Sequence, residues 1–405
     1  MKAFRIRWWQ RTRALMVVGV GSVLLTGCYD IQEVDNMNLV LAIGVDEDRA
    51  RGVNVTAEIV NPASVPSSGG GESSTSGERR ATLIRQATGV SIEDAIGNLE
   101  REVPHSVYLA QNMLVVFGQS YAKHGVERAF DYLERDRAFR RNQLFLATPE
   151  RASDVLSASA EPEALNALGI RELVEQTSRQ LPIVQSEQQQ VMKEYLSPSQ
   201  APVMASIALN DSQHPVVQGI AVFRAGHLVD TLSIREMQGL GWMLGRTRQV
   251  AIRLPCRDKE NGTGTTIRLL DSDTRFDSEP VPGGLRVRLT VHARAEIGQL
   301  CPYEQLDEQK LAQLNQMASA YIGQSMQLVL NKLQRDDVDA CQFGRRVFMQ
   351  HPAYWRRISA SWPTIFPKVQ MDCQVKVQTI RTNLAFSAPE STVSRSSAVP
   401  SGVGR

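Results

Sequence analysis

The 405-residue chain carries 45 Lys and Arg against 43 Asp and Glu, a formal net charge of +2. Five of the positive charges (Lys2, Arg5, Arg7, Arg11 and Arg13) fall within the first 13 residues, so the remainder is slightly acidic and offers no net basic surface to nucleic acid. No apolar stretch of 18 residues follows residue 28, which excludes a body made of membrane spans and leaves length for two or three ordinary domains.

The first element is a basic N-terminus followed by the apolar run Ala14–Leu25 and then Leu25-Thr26-Gly27-Cys28. That order is the mark of a secretory signal peptide. The run is shorter than the roughly 20 residues a bilayer span needs. Small residues directly before a cysteine make the more specific lipobox pattern. Residues 1–27 are therefore expected to be a lipoprotein signal peptide, with Cys28 receiving a diacylglyceryl group and becoming the first residue of the processed chain. Apolar burial of about 0.8 kcal/mol per CH₂ makes two or three acyl chains a stable anchor. An uncleaved anchor with an incidental cysteine is the weaker alternative.

Further along, residues 38–46 and 53–60 alternate as strands joined by the turn 46–52. Residues 61–80 are Ser, Gly and Pro-rich and read as a mobile loop or spacer, after which 81–86 resumes a strand. Ser91 caps a helix whose buried face is Ile92, Ile96 and Leu99. A short strand at 113–117, one helix over 120–135, a strand at 143–147 and helical patterning over 150–180 follow. Residues 181–202 read as an interdomain connection with a short helical piece, which places an N-terminal region at 28–200 and a C-terminal domain at 203–385. In that second part, two alternating runs over 216–233 meet at Ala225-Gly226 as a hairpin. Ser233-Ile-Arg-Glu236 is a capping box. Strands are expected at 249–254, 265–270, 285–297 and 369–381, and a long helix at 307–334 with Leu311, Leu314, Met317, Ala318, Tyr321, Ile322, Met326 and Leu328 at helical period. The tail 386–405 reads as disordered. Hairpins and strand runs without strict βαβ alternation give an α+β, multidomain class, with mixed or antiparallel sheets packed with helices.

Four cysteines remain: Cys256, Cys301, Cys341 and Cys373. Their wide spacing rules out a CxxC knuckle, and an even number in an exported protein permits disulfides in any of three connectivities. Cys373 is in phase with Val369, Met371, Val375 and Val377, so a buried free thiol explains it equally well.

The sequence holds no GxSxG, HExxH or Walker loop, and Gly262-Thr-Gly264 lacks the third glycine of a dinucleotide loop. The six histidines show no ligand spacing, and neither metal nor cofactor is expected. Asp271/Asp273 and Asp336/Asp337 sit near turn signals and read as solvated. The Arg135–Arg141 cluster reads as an exposed helix end with Asp136 as local counter-charge, and Trp355 and Trp362 as aromatic anchors into the core.

The residues resemble one family. Cys28-Tyr-Asp30, Glu33 and Leu41-Ala-Ile-Gly-Val-Asp46 are similar to the start of the Ger(x)C lipoproteins, the C subunits of spore germinant receptors. Thr88–Ala95 with Arg135-Asp136 and Arg140 resembles their N-terminal region. Gly219–Phe223 through Gly239-Leu-Gly-Trp-Met-Leu-Gly245 resembles the opening of their C-terminal domain, and Phe343-Gly344, Pro352, Trp355, Trp362 and Phe366-Pro367 its close. Tyr29 in place of Trp and Ala340-Cys341-Gln342 in place of an acidic, Phe-rich stretch are the departures. The resemblance implies a non-catalytic subunit, held by its lipid on the outer face of the spore inner membrane beside the integral-membrane A and B subunits, and needed for nutrient-triggered germination. The rival readings are a substrate-binding lipoprotein of an importer, which would need two βαβ-rich lobes, and an anchored hydrolase, which would need a nucleophile and base.

Overall fold

The computed structural model describes residues 37–381 apart from 49–51, 62–80, 182–183, 185, 248, 257–263, 283 and 302–304. The expected signal peptide, Cys28, the loop at 61–80 (all but its first residue) and the tail 386–405 lie outside the described residues.

Two sheets organise the chain. In the first, β1 (Met37–Glu47), β2 (Val53–Val60) and β3 (Thr82–Gly89) pair antiparallel in sequence. The other side of β1 takes β4 (Ser106–Tyr108) and β5 (Leu114–Phe117), both parallel to it. β6 (Leu144–Ala147) and β7 (Val203–Leu209) continue in parallel, and the antiparallel β8 (Pro215–Arg224) and β9 (His227–Ser233) complete the sheet. The parallel middle is not evident from sequence pattern. Leu-Val-Val-Phe and Leu-Phe-Leu-Ala of β5 and β6 are buried on both faces, so they show no alternation to mark their pairing.

Each face of this sheet has its own core. One face carries α1 (Ile92–Glu102), α2 (Gln119–His124) and α3 (Glu127–Arg135), which bury Ile96, Leu99, Phe130 and Leu133 over Ile43, Val45, Val115 and Phe145. Phe117, Phe130 and Phe145 are fully buried with ring centroids 5.4–6.2 Å apart, and burial of such a side chain stabilises by about 1.5–3 kcal/mol. Ser91 caps α1 as expected, its hydroxyl accepting from the Asp94 N–H at 3.1 Å, a bond worth about 1 kcal/mol. The expected single helix over 120–135 is two. Gly125 takes φ +122°, outside helical range, and the Val126 N–H leaves the helix to donate to the Gly226 carbonyl at 3.0 Å.

The opposite face carries α4 (Ala152–Ser157), α5 (Asn166–Gln180) and α7 (Ile234–Leu244), while α6 (Gln188–Tyr195) sets Val191 into the first core. The helical pattern at 150–180 thus divides in two around residues 158–165. Residues 181–202 are the last part of the connection from β6 to β7 of one sheet, so the boundary expected at 203 falls inside that sheet, whose last three strands lie beyond it.

The second sheet has the order β10 (Ala251–Pro255), β11 (Gly264–Val281), β12 (Gly284–Gln299), β13 (Gln370–Arg381), the last pair parallel. β11 runs eleven residues beyond the strand expected at 265–270, because Asp271, Ser272 and Asp273 read as turn formers yet pair with Arg294, Ala293 and His292. One face is a ladder of cross-strand charges, including Arg294–Asp271 and Arg288–Asp372. The other is apolar and covered by α8 (Glu308–Arg335) through Leu314, Ala318, Ile322, Met326, Val329, Leu330 and Leu333. Met317 and Leu328, expected on that face, point outward. Three short helices, α9 (Phe343–Gln350), α10 (Pro352–Ile358) and α11 (Trp362–Ile365), carry the chain back to β13. One contiguous core runs from Leu41 and Val222 of the first sheet through Trp242 to Leu289 and Leu330 of the second layer.

Candidate functional site

The two layers meet at a junction built mainly from α8, the loop after it and the β8–β9 hairpin. Lys332 of α8 reaches Asp230 of β9 and Glu236 of α7, each at 3.2 Å, and donates to the Thr231 carbonyl at 2.9 Å. Arg335 bonds Asp230 at 3.1 Å and Asp336 at 2.9 Å, and Arg224 donates to the Asp336 carbonyl at 3.2 Å. Burial opposes the charge of Glu236, but the Ser233 N–H and hydroxyl together with Lys332 outweigh it and hold the carboxyl below its usual range. Ser233 and Glu236 form the capping box expected of them, so one local motif both starts α7 and aims a carboxylate at α8. Asp336 accordingly belongs to this network, and Asp337 approaches Arg224 at 3.9 Å.

The loop after α8 is ordered by Asp339. Its carboxylate is buried and accepts from the N–H groups of Phe343 and Gly344, at 2.9 and 2.7 Å, and from Trp362 Nε1 at 3.1 Å. Burial pushes the carboxyl up to about 6 against these donors. Trp355 and Trp362 stack edge to face at 5.2 Å and are both buried, as expected of anchors. Beside this hub a cavity of about 290 Å³ separates the hairpin turn from α11, lined by Phe223, Ala225, Trp362, Pro363 and Phe366 among others. A smaller cavity of about 80 Å³ holds Glu194, which accepts from Gln190 at 2.6 Å and Gln342 at 3.4 Å. Sequence reading misses Asp339 and Glu194. Each stands in a polar stretch, and only the packing of distant elements buries it.

The other singled-out residues are dispersed. Cys256 and Cys301 are bridged, with Cα atoms 5.9 Å apart. The second bridge left open by the sequence is not formed. Cys341 is buried with its thiol donating to Asp339 at 3.3 Å, while Cys373 faces α8 with its sulfur 3.9 Å from that of Met326. Burial and the neighbouring Asp339 push the Cys341 thiol up, and burial with Asp372 nearby pushes Cys373 to about 11. Arg135 pairs with Asp131 and Arg141 with Glu134, whereas Asp136, the expected counter-charge, accepts from the Ala138 N–H instead. His124 faces Glu47 and His227 faces Glu127, and the ring nitrogens of His214 and His351 meet backbone carbonyls. Among the described residues no group of three or more His, Cys, Asp or Glu is placed to hold a metal ion. No described helix is long and apolar enough to cross a membrane. The junction is held by paired charges and by the donors gathered on Asp339.

Comparison with known proteins identifies the lineage. A family model described as the spore germination protein N-terminal domain matches residues 30–209, and one described as spore germination B3/GerAC like, C-terminal, matches residues 218–383. The chain belongs to the Ger(x)C family of spore germination proteins. Spore germination protein KC of Bacillus subtilis (strain 168) is 22% identical over 396 residues, covering 91% of this chain and 95% of the relative. Spore germination protein B3 of the same organism is 20% identical over 371 residues, covering 88% and 94%. The crystal structure of the GerBC protein superposes with a TM-score of 0.54 at 18% identity, covering 87% of this chain and all of that one, so the two share a fold. Ger(x)C proteins are not a known enzyme family, and in this member the matched motifs are structural: Trp242 is fully buried, and Phe343, Trp355, Trp362 and Phe366 form the hub around Asp339.

Proposed function

We propose that this Ger(x)C protein is the lipid-anchored C subunit of a nutrient germinant receptor, assembled with integral-membrane A and B subunits and required for nutrient-triggered germination. The supporting observation is the match of both Ger(x)C regions, in order, across residues 30–383, directly behind a lipobox cysteine. In this reading residues 1–27 are a cleaved signal, Cys28 carries the lipid, and the body lies on the outer face of the spore inner membrane. Its contribution is non-catalytic: anchoring raises the effective concentration of a folded docking surface beside its partners, so that weak contacts suffice. The importer reading is disfavoured by the architecture, since a nine-stranded mixed sheet backed by a four-stranded one is unlike two similar βαβ lobes.

The test compares spores carrying wild type, Cys28→Ala and a deletion. Cys28→Ala is expected to release the protein from the membrane fraction and to abolish core-solute release to some nutrients, leaving a receptor-independent trigger effective. Unchanged nutrient responses in the deletion strain, with all sister receptors also removed, would end the germination reading.

A further inference from the structure

Between Cys341 and Met371 the chain has no acidic residue and five cations: Arg345, Arg346, Arg356, Arg357 and Lys368. The helices α9–α11 made from this segment form a cap beside the β11–β12 turn. Its inner side is fixed: Gln350 donates to the Phe276 carbonyl at 2.7 Å, the Tyr354 hydroxyl donates to the Gly284 carbonyl at 3.3 Å, and Arg346 lies 5.1 Å over the Phe276 ring. Its outer side carries Phe348 and Met349, which are 49% and 68% exposed. On α10, Pro352, Ala353, Arg356 and Arg357 are all exposed and form a single stripe that follows Met349 directly. Arg345 turns inward, donating to Gln342 Oε1 at 3.4 Å and acting on the Glu194 carboxylate, whereas Arg356 and Arg357 are exposed and stand in no ion pair among the described residues, Arg357 lying 5.7 Å over the Tyr354 ring. Asp277 and Glu279 of the adjoining β11 alternate to the far face, across the ladder from Arg288 and Arg286.

Uncompensated arginines flanking adjacent exposed apolar side chains match the chemistry of an anionic bilayer surface, where guanidinium groups meet headgroup phosphates and apolar tips enter the acyl boundary. We propose that the α9–α10 surface is a second membrane contact, binding anionic phospholipid through Arg356 and Arg357 with Phe348 and Met349 inserted. For its orientation it rests on the lipid-anchor reading. Since β1, β5, β6 and β7 are parallel and β8 runs against them, Met37 and the Ala225–Gly226 turn lie at the same end of the first sheet. That turn lines the cavity closed on its other side by α11 of the cap. Four strand spacings, about 19 Å, separate β1 from β8, and the nine residues from Cys28 to Met37 reach at most about 30 Å. An anchor at Cys28 therefore keeps the end of the molecule nearest the cap beside the bilayer.

The test uses the full chain carrying Cys28→Ala, in which no lipid can be attached at that position, mixed with vesicles of phosphatidylcholine alone or with phosphatidylglycerol added. Amide exchange across residues 343–358 should slow by about fivefold or more on the anionic vesicles only, and high salt should reverse the effect. The protection should disappear in an Arg356→Gln/Arg357→Gln variant and in a Phe348→Ser/Met349→Ser variant, with unchanged exchange in α8 reporting an intact fold. Equal exchange on both vesicle types overturns the proposal. So does protection by soluble polyglutamate in place of vesicles, which would make the patch a docking surface for acidic protein. Lipidation of Cys28 is read separately from the mass of the wild-type chain, so either reading can fail without the other.

Discussion

At the scale of single residues, the buried carboxylates are the informative groups. Glu58 of β2 sits under the start of α5, where its Oε1 accepts from the Ala167 N–H at 3.2 Å. Burial dominates and raises its pKa from 4.5 to about 7, although the Ala167 and Asn166 N–H groups and the Thr82 hydroxyl pull downward. A folded pKa above the unfolded one means stability that is complete below pH 4.5 and is lost as pH rises through about 7. The loss amounts to about 3 kcal/mol. Glu58→Gln stays neutral and escapes it. Urea unfolding across that pH window should therefore show the variant gaining on wild type by about 3 kcal/mol as pH rises, and a constant difference would show that Glu58 does not titrate there. The sequence conceals this role: Glu58 falls in a strand whose Val53, Val55, Ala57 and Ile59 face one core, and only α5, from over a hundred residues away, turns its own face into a second interior.

Among the elements, the α7–α8 crossing decides how closely the two layers approach. Gly239 lies against α8, where a Cβ would stand 2.5 Å from the Ser325 carbonyl oxygen and 3.0 Å from Val329. Backbone cannot yield as a side-chain tip can, so Gly239→Val should cost about 2–3 kcal/mol by forcing the helices apart. Gly97 of α1 is the control, because a Cβ there meets nothing within 4 Å. Gly97→Ala should stabilise by up to about 1 kcal/mol through helix propensity and a restricted unfolded chain. Chemical denaturation of the two variants checks the opposite signs, and equal effects would dissociate Gly239 from the crossing. The glycine-rich run 239–245 is legible in the sequence as a motif, but which of its glycines touches another helix is not.

For the whole molecule, the division between the two matched family regions does not coincide with a division of the structure. The stretch 210–217 is the β7–β8 turn and the first three residues of β8, adjacent antiparallel strands of one sheet, and a single core spans both layers. The Gln342–Glu194 bond and the bond from the Ala201 N–H to the Asp339 carbonyl cross between the two regions. The two regions should consequently unfold together. Trp242, Trp355 and Trp362 all lie beyond residue 218, so their fluorescence follows the C-terminal part, whereas far-ultraviolet circular dichroism follows both. Coincident denaturation curves are expected. A dichroism transition that persists after the fluorescence change is complete would show an independently stable N-terminal region.

The sequence by itself determined what depends on neighbours along the chain. The Ser91 cap, the Ser233–Glu236 capping box, the Ala225-Gly226 hairpin and the long helix at α8 are local hydrogen-bond and periodicity signals, and they stand where the residues place them. The family motifs are of the same kind, a fixed order of residue types. Tertiary structure alone decided the parallel pairing of β5, β6 and β7, the extension of β11 through its acidic residues and the choice of Cys256–Cys301 as the bridged pair. It also buried Glu58, Glu194 and Asp339 and left Arg356 and Arg357 of α10 exposed. Each of these depends on which surfaces meet across large sequence separations, and a charge or an apolar run looks the same in the sequence whether its partner is water, a helix or a bilayer.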